Sequence, residues 1–437
     1  MYAALSRQSI AAALRRRGFA RSVAQTGGFN FATVALAGLG GIIIARAVGP
    51  TVRGEYAAVT VWMGVSLTVG GMGQRAALVY YAAREPLRAR EYVATSRAMM
   101  MATGMVTLVA GFLLAPALAH RLPAVTAGYR IAFGSSIVVF VGGSFMASLQ
   151  ARDLHRWNVV GVVQPAFSLI AIAVLWRLRR LTLDAALIVL AATMLLQLVW
   201  AYGYCRRMGL APGRARVALV RPLLAYGAAQ IVAEAPGTLN VQLDQLVLSQ
   251  TVPAADLGRY AIAVSISLLP VPLVSAIGNV AFPRLAAQRE MTGVTRQLQR
   301  LSVLGGACLA AAILVPTAAV SYWLVPLVFG AAYRGAVPLL WILTPGSVFL
   351  ACGLVTGDLL KGRRQPAIVA WAHGIAAIFT VALLFALLPQ VGVYAAAIAS
   401  TVSYGVALAI MLHRLSRLPC HEVAGTTETA PTPLPSP

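Results

Sequence analysis

Apolar runs of about 20 residues, separated by short arginine-bearing gaps, recur along the 437-residue chain. Each run has the length a helix needs to cross a hydrocarbon layer about 30 Å thick. A sliding window of about 19 residues marks twelve of them, near 22–48, 55–79, 93–118, 127–149, 158–177 and 183–204, then 221–249, 257–282, 299–328, 333–360, 366–388 and 391–413. The gap at 205–220, after the sixth run, divides them six and six. The pattern predicts an all-α polytopic membrane protein of about 12 transmembrane helices in two six-helix lobes. The segments are a basic cytoplasmic N-terminus (1–21), an N-lobe (22–204), a cytoplasmic linker (205–220), a C-lobe (221–413) and a disordered cytoplasmic tail (414–437).

A repeat supports the division. Gly54-Glu55-Tyr56-Ala57 returns as Gly258-Arg259-Tyr260-Ala261, an offset of 204, and Ala127-Gly128-Tyr129-Arg130 returns as Ala331-Ala332-Tyr333-Arg334 at the same offset. Because six helices intervene, the halves keep one orientation in the membrane. A parallel repeat of this kind is a transporter architecture, its axis along the membrane normal.

Composition narrows the class further. The chain is 59% hydrophobic and 11% charged, against about 25% charged in soluble domains. Its mean hydropathy is +0.79. A soluble enzyme, a secreted disulfide scaffold and a disordered chain are excluded. The net charge of +23 would suggest nucleic acid in a soluble protein. Here its distribution gives another reading. With the N-terminus inside, about 24 basic residues fall on the cytoplasmic side and 8 on the other, as the positive-inside rule requires. Both termini are then cytoplasmic, and no nucleic-acid partner is expected. Arg177, Arg179 and Arg180 violate the bias locally.

Intramembrane charge costs at least about 2.5 kcal/mol at mid-bilayer, so each instance asks for a reason. The seventh run carries Gln230, Glu234, Asn240 and Asp244. In an unbroken helix Glu234 and Asp244 lie about 80° apart in azimuth and about 15 Å in height. Such a polar stripe faces a cavity or another helix, because lipid cannot satisfy it. It either binds a cation, a proton or a polar substrate, or forms a buried network. Pro236-Gly237 between the carboxylates marks a place for the helix to bend during a conformational cycle. Asp358, close to Lys361, reads as a local ion pair, and the lone His373 as a hydrogen-bonded core residue. Arg46 and Arg75 end the first and second runs, where arginine holds phosphate bidentately or snorkels to headgroups. No Walker loop, HExxH or GxSxG motif is present, and no paired carboxylates stand in an aqueous segment. No metal or cofactor is expected.

The segment Ile42-Ile43-Ile44-Ala45-Arg46-Ala47-Val48-Gly49-Pro50-Thr51-Val52-Arg53-Gly54-Glu55-Tyr56-Ala57 resembles the first loop of the polysaccharide-biosynthesis oligosaccharide flippases. These belong to the multidrug/oligosaccharidyl-lipid/polysaccharide exporter superfamily, whose fold is MATE-like. Gly73-Gln74-Arg75-Ala76-Ala77-Leu78-Val79-Tyr80-Tyr81 and Leu149-Gln150-Ala151-Arg152-Asp153-Leu154-His155-Arg156-Trp157-Asn158 are similar to the family as well. The resemblance implies a flippase in the bacterial cytoplasmic membrane. It would translocate an undecaprenyl-diphosphate-linked oligosaccharide for surface polysaccharide synthesis by alternating access. On that reading Arg46 and Arg75 attract the diphosphate. Gln230, Glu234, Asn240 and Asp244 form the lumenal stripe, coupled to H+ or Na+. Membrane lipids, a polysaccharide polymerase and glycosyltransferases are the expected partners. The rival readings are a cation-coupled small-molecule or multidrug exporter of the same fold, and a membrane-embedded sugar-transfer enzyme. One departure stands out: Gly40 occupies the place equivalent to Asp244.

Overall fold

The computed structural model describes residues 17–211, 213–286, 293–363 and 365–417. The basic segment before residue 17 and the tail from 418 onward lie outside the described residues. Among the described residues the chain forms fifteen α-helices. The first half contains α1 (Arg17–Gly70), α2 (Gln74–Arg84), α3 (Ala89–Leu118), α4 (Pro123–Gly134), α5 (Ser136–Arg152), α6 (Leu154–Arg177) and α7 (Leu183–Arg207). The second contains α8 (Val220–Asn240), α9 (Leu243–Thr251), α10 (Ala254–Ser267), α11 (Val271–Ala286), α12 (Gly293–Phe329), α13 (Ala336–Gly362), α14 (Pro366–Val391) and α15 (Tyr394–Ser416).

Ten helices among the described residues are long and apolar enough to cross a membrane, or eleven if the bent pair α10–α11 is one span. Hydropathy led to twelve. One span of the difference lies in α1, which is not straight. Gly49 sits at φ 75°, ψ 177°, followed by Pro50. Only glycine takes that conformation without strain, and the proline ring removes the next backbone donor. Phe29 and Arg75 line one pocket, whereas a straight helix would hold them about 70 Å apart. The chain therefore doubles back at Gly49, and α1 is two antiparallel limbs, 17–48 and 50–70.

Four further interruptions cut long apolar runs into pairs: at 71–73, at Ser135, at 241–242 and at 268–270. Met72 (φ 44°) and Gly73 (φ 64°) turn the chain between α1 and α2. The chain does not break at Pro236-Gly237: α8 runs through both residues to Asn240. A Cβ on Gly237 would stand 3.3 Å from the His373 ring, so this part of α8 is packed against α14. The break comes instead at Val241-Gln242, where polar side chains crowd. The His373 ring meets that packing, but its buried Nδ1 finds no hydrogen-bond partner among the described residues, contrary to the core role expected.

Within the first half, α6 packs on α1 and α7, and α5 on α2, α3 and α7. Within the second, α13 packs on α10, α11, α12 and α15, while α14 packs on α8 and α15. The halves meet where α1 touches α9 to α12 and where α2 touches α8. The segment joining them is pinned on α3: Arg216 donates its backbone N–H to Thr95 Oγ1 (2.9 Å) and pairs with Glu91 (2.7 Å).

The two copies of the repeat touch each other. A Cβ built on Gly54 would overlap the carbonyl of Ala254, and one built on Gly258 would overlap the carbonyl of Pro50. Ala254 and Pro50 are themselves equivalent at the offset of 204, so the contact is reciprocal, as at a two-fold axis. Small residues spaced by four allow this approach of helices. The second repeat is plain packing: Tyr129 and Tyr333 are fully buried, and Tyr333 Oη donates to the Ala45 carbonyl (3.1 Å).

Candidate functional site

A cavity of about 610 Å3 lies in the seam between the halves. One wall comes from the end of α1 and from α2, with Thr68, Arg75 and Tyr80; the other comes from α8, with Tyr226, Gln230, Glu234 and Thr238. Gln150 of α5 closes one side. The break at 71–73 places Arg75 in the first turn of α2 and turns it into this space. Arg75 Nη2 donates to Gln150 Oε1 at 3.3 Å, and its guanidinium lies 6.0 Å from the Trp157 ring. Glu234 is within electrostatic reach of Arg75, yet no ion pair joins them among the described residues. Tyr80 stacks on Tyr226 across the seam, their rings 4.6 Å apart and inclined by 18°. The cavity thus offers a cation, a carboxylate, amides and aromatic faces to one ligand.

Below it sits a buried polar cluster within the second half. The Asp244 carboxylate, only 2% exposed, accepts hydrogen bonds from the Tyr260 hydroxyl, from Ser400 Oγ (2.9 Å) and from the Gln245 backbone N–H (2.6 Å). Asn240 Oδ1 accepts from Thr380 Oγ1 (2.9 Å), which also lies 2.8 Å from Ser403 Oγ. Helices α8, α9, α10, α14 and α15 therefore converge on a few ångströms of oxygen-rich space. The equivalent positions of the first half are Leu36 for Asn240, Gly40 for Asp244 and Leu196 for Ser400. A fold that repeats does without these groups in one copy.

The six residues singled out in the sequence thus fall into three places. Arg75, Gln230 and Glu234 share the seam cavity. Asn240, the last residue of α8, turns to Thr380 of α14, and the break at 241–242 puts Asp244 on α9, so both belong to the buried cluster. Arg46 joins neither: its Nη2 donates to the Leu327 carbonyl at 2.8 Å, beside Arg177 and Arg179. Asp358 meets Lys361 at 3.7 Å, the local pair expected. Tyr80, Tyr226 and Gln150 line the cavity without having been singled out for it. Tyr80 and Gln150 lie in two of the family-like segments, but only the fold brings α5 to the seam.

The sequence profile of the polysaccharide biosynthesis protein family matches residues 19–289. The chain belongs to that family. It is similar to the lipopolysaccharide biosynthesis protein WzxC of Escherichia coli (strain K12), with 28% identity over 274 residues, 60% of this chain and 54% of the relative. The match therefore spans about half the length of that curated relative. In fold the protein is similar to an inward-facing multidrug resistance MATE family transporter of the MOP superfamily. That likeness has a TM-score of 0.73 at 12% identity and covers 88% of this chain and 94% of the other. It is equally similar to the lipid II flippase MurJ in an inward closed conformation, with a TM-score of 0.73 at 11% identity, over 90% of this chain and 88% of that one. The all-helical membrane fold of the exporter superfamily is thereby established for this polysaccharide-biosynthesis protein.

Proposed function

We propose that this protein is a flippase for a lipid-linked oligosaccharide in the bacterial cytoplasmic membrane, its carrier being undecaprenyl diphosphate. The observation that carries the reading is the seam cavity, where Arg75, Gln150, Gln230, Glu234 and the Tyr80–Tyr226 stack surround about 610 Å3. Guanidinium matches a diphosphate; amides and aromatic faces suit sugar hydroxyls and sugar C–H edges. Membership of the polysaccharide biosynthesis family supports it, as does similarity to WzxC.

The lobes 22–204 and 221–413 rock about the seam, with both termini in the cytoplasm. The glycan crosses through the cavity while the lipid tail stays in the bilayer. The Asp244 cluster supplies ion coupling: a carboxylate ringed by hydroxyls in one half only is a site for a proton or sodium, and the symmetric fold does not need it. Glycosyltransferases that build the glycan and a polymerase that consumes it are the partners this role requires.

The test is transport in sealed proteoliposomes of a prenyl-diphosphate-linked oligosaccharide carrying a fluorescent sugar, scored by its accessibility to a membrane-impermeant quencher. Protein-dependent movement is the expected outcome. No movement in liposomes that do export a cationic dye would establish the small-molecule exporter instead. Formation of a new glycosidic product in detergent, where no compartments exist, would establish sugar transfer.

A further inference from the structure

Resting on the reading that the substrate is a phosphate-bearing lipid, we infer that the chain holds phosphate at a second site. It is formed by Arg46, Arg177 and Arg179 at the membrane face opposite the seam cavity. These guanidiniums line, with Trp176, a pocket of about 460 Å3. They come from far apart in sequence: Arg46 from the end of the first limb of α1, the others from the C-terminal end of α6. Among the described residues no carboxylate lines the pocket. Among the described residues no ion pair engages any of the three, as every pair found lies elsewhere.

The position is fixed by the fold. Arg46 stands beside the reversal at Gly49, and Arg75 lies past the far end of the limb 50–70. That limb is about 30 Å long, one hydrocarbon thickness. The two arginine sites therefore face opposite leaflets. Cations on the side away from the cytoplasm run against the charge bias of the chain, which snorkelling alone does not explain. The turn that carries two of them is also conformationally costly. Arg179 adopts φ 56° at a helix end where glycine is the usual occupant. Backbone bonds from Arg179 N–H to the Trp176 carbonyl and from Arg180 N–H to the Leu175 carbonyl, both 2.9 Å, hold it there. Trp176 supplies the aromatic ring typical of headgroup depth.

The three arginines are exposed around this one pocket, and guanidiniums bind phosphate oxygens bidentately. Arg46 is meanwhile tied to the second half through the Leu327 carbonyl (2.8 Å). Parting of the halves at this face breaks that bond and frees the guanidinium for a phosphate. The site is completed when the passage opens on its side, which is where a translocated headgroup emerges.

The test uses the full chain in detergent micelles, titrated with farnesyl diphosphate and followed by native mass spectrometry. Wild type binds it at both sites. R177Q/R179Q weakens one binding event by roughly tenfold or more and R75Q weakens the other. R177K/R179K, which keeps charge but loses the fork, gives an intermediate loss. The same series with dioleoyl phosphatidic acid and with inorganic pyrophosphate separates the sources. Selective loss of farnesyl diphosphate binding marks a substrate site, equal loss of phosphatidic acid marks a phospholipid site, and loss of pyrophosphate marks a site for the free anion. Unchanged stoichiometry and affinity in R177Q/R179Q overturns the inference. If R75Q still removes its own binding event in that case, the flippase reading survives. If phosphatidic acid binding falls in R177Q/R179Q while farnesyl diphosphate binds nowhere, the second site stands and the flippase reading falls.

Discussion

Gly54 and Gly258 lie back to back across the molecular seam, each occupying the space where a side chain on the other's helix would go. A Cβ on Gly54 would come within 2.9 Å of the Gly258 backbone nitrogen, and one on Gly258 within 3.0 Å of the Gly54 nitrogen. The obstacle is backbone on both sides, so neither helix can yield by moving a rotamer. Gly54→Ala and Gly258→Ala should each destabilise by about 1–3 kcal/mol, read as a lowered unfolding temperature in detergent.

Among the described residues Arg75 makes no ion pair, and its Nη2 donates to the neutral Gln150. Glu234 acts on it only at a distance, so the guanidinium can still take an anionic ligand. Arg75→Gln should lower transport by roughly tenfold or more, the loss of a charge-assisted bond, without lowering the unfolding temperature. Arg75→Lys should recover part of it, because the charge remains while the bidentate fork is lost. Glu234→Gln, on the facing wall, should change transport less than Arg75→Gln does.

Asp244 separates coupling from scaffolding. Asp244→Asn keeps the shape of the side chain and leaves partners for Tyr260 and Ser400, but removes the charge that would hold an ion. Transport should fall sharply with little change in unfolding temperature. Tyr260→Phe does the reverse: it strips a donor from a buried carboxylate and should cost about 1–3 kcal/mol of stability. If Asp244→Asn transports normally, the cluster is structural and coupling lies elsewhere.

Much of this was legible in one dimension. Hydropathy gives the membrane class because lipid punishes every exposed polar group, and the repeat at an offset of 204 is the ground for expecting two halves. Their contact was not legible, since nothing in a string says that two copies of a motif touch. The polar stripe failed for a definite reason. It assumed unbroken helical phase from Gln230 to Asp244, whereas the chain breaks at Val241-Gln242 and re-aims Asp244 into the second half. Arg46 and Arg75 look alike as arginines at helix ends. The reversal at Gly49 sends them to opposite faces, and only a diphosphate expected from family resemblance had joined them.

Asp358 gives the contrasting case of a charge inside an apolar run that is met by a local partner. Its carboxylate lies 3.7 Å from Lys361 on the same helix face, and the Gly278 backbone is pressed against it, leaving no room for a Cβ there. The pair is partly solvated, with side-chain exposures of 28% and 38%, so its net contribution falls in the range of about 0–1 kcal/mol. Asp358→Asn should leave transport near wild type and shift the unfolding temperature by no more than that energy allows. Gly278→Ala should be the more damaging change, because the added methyl must displace the carboxylate. Comparing transport and unfolding for the two variants checks both expectations. A collapse of transport in Asp358→Asn at unchanged stability would move Asp358 into the ion pathway.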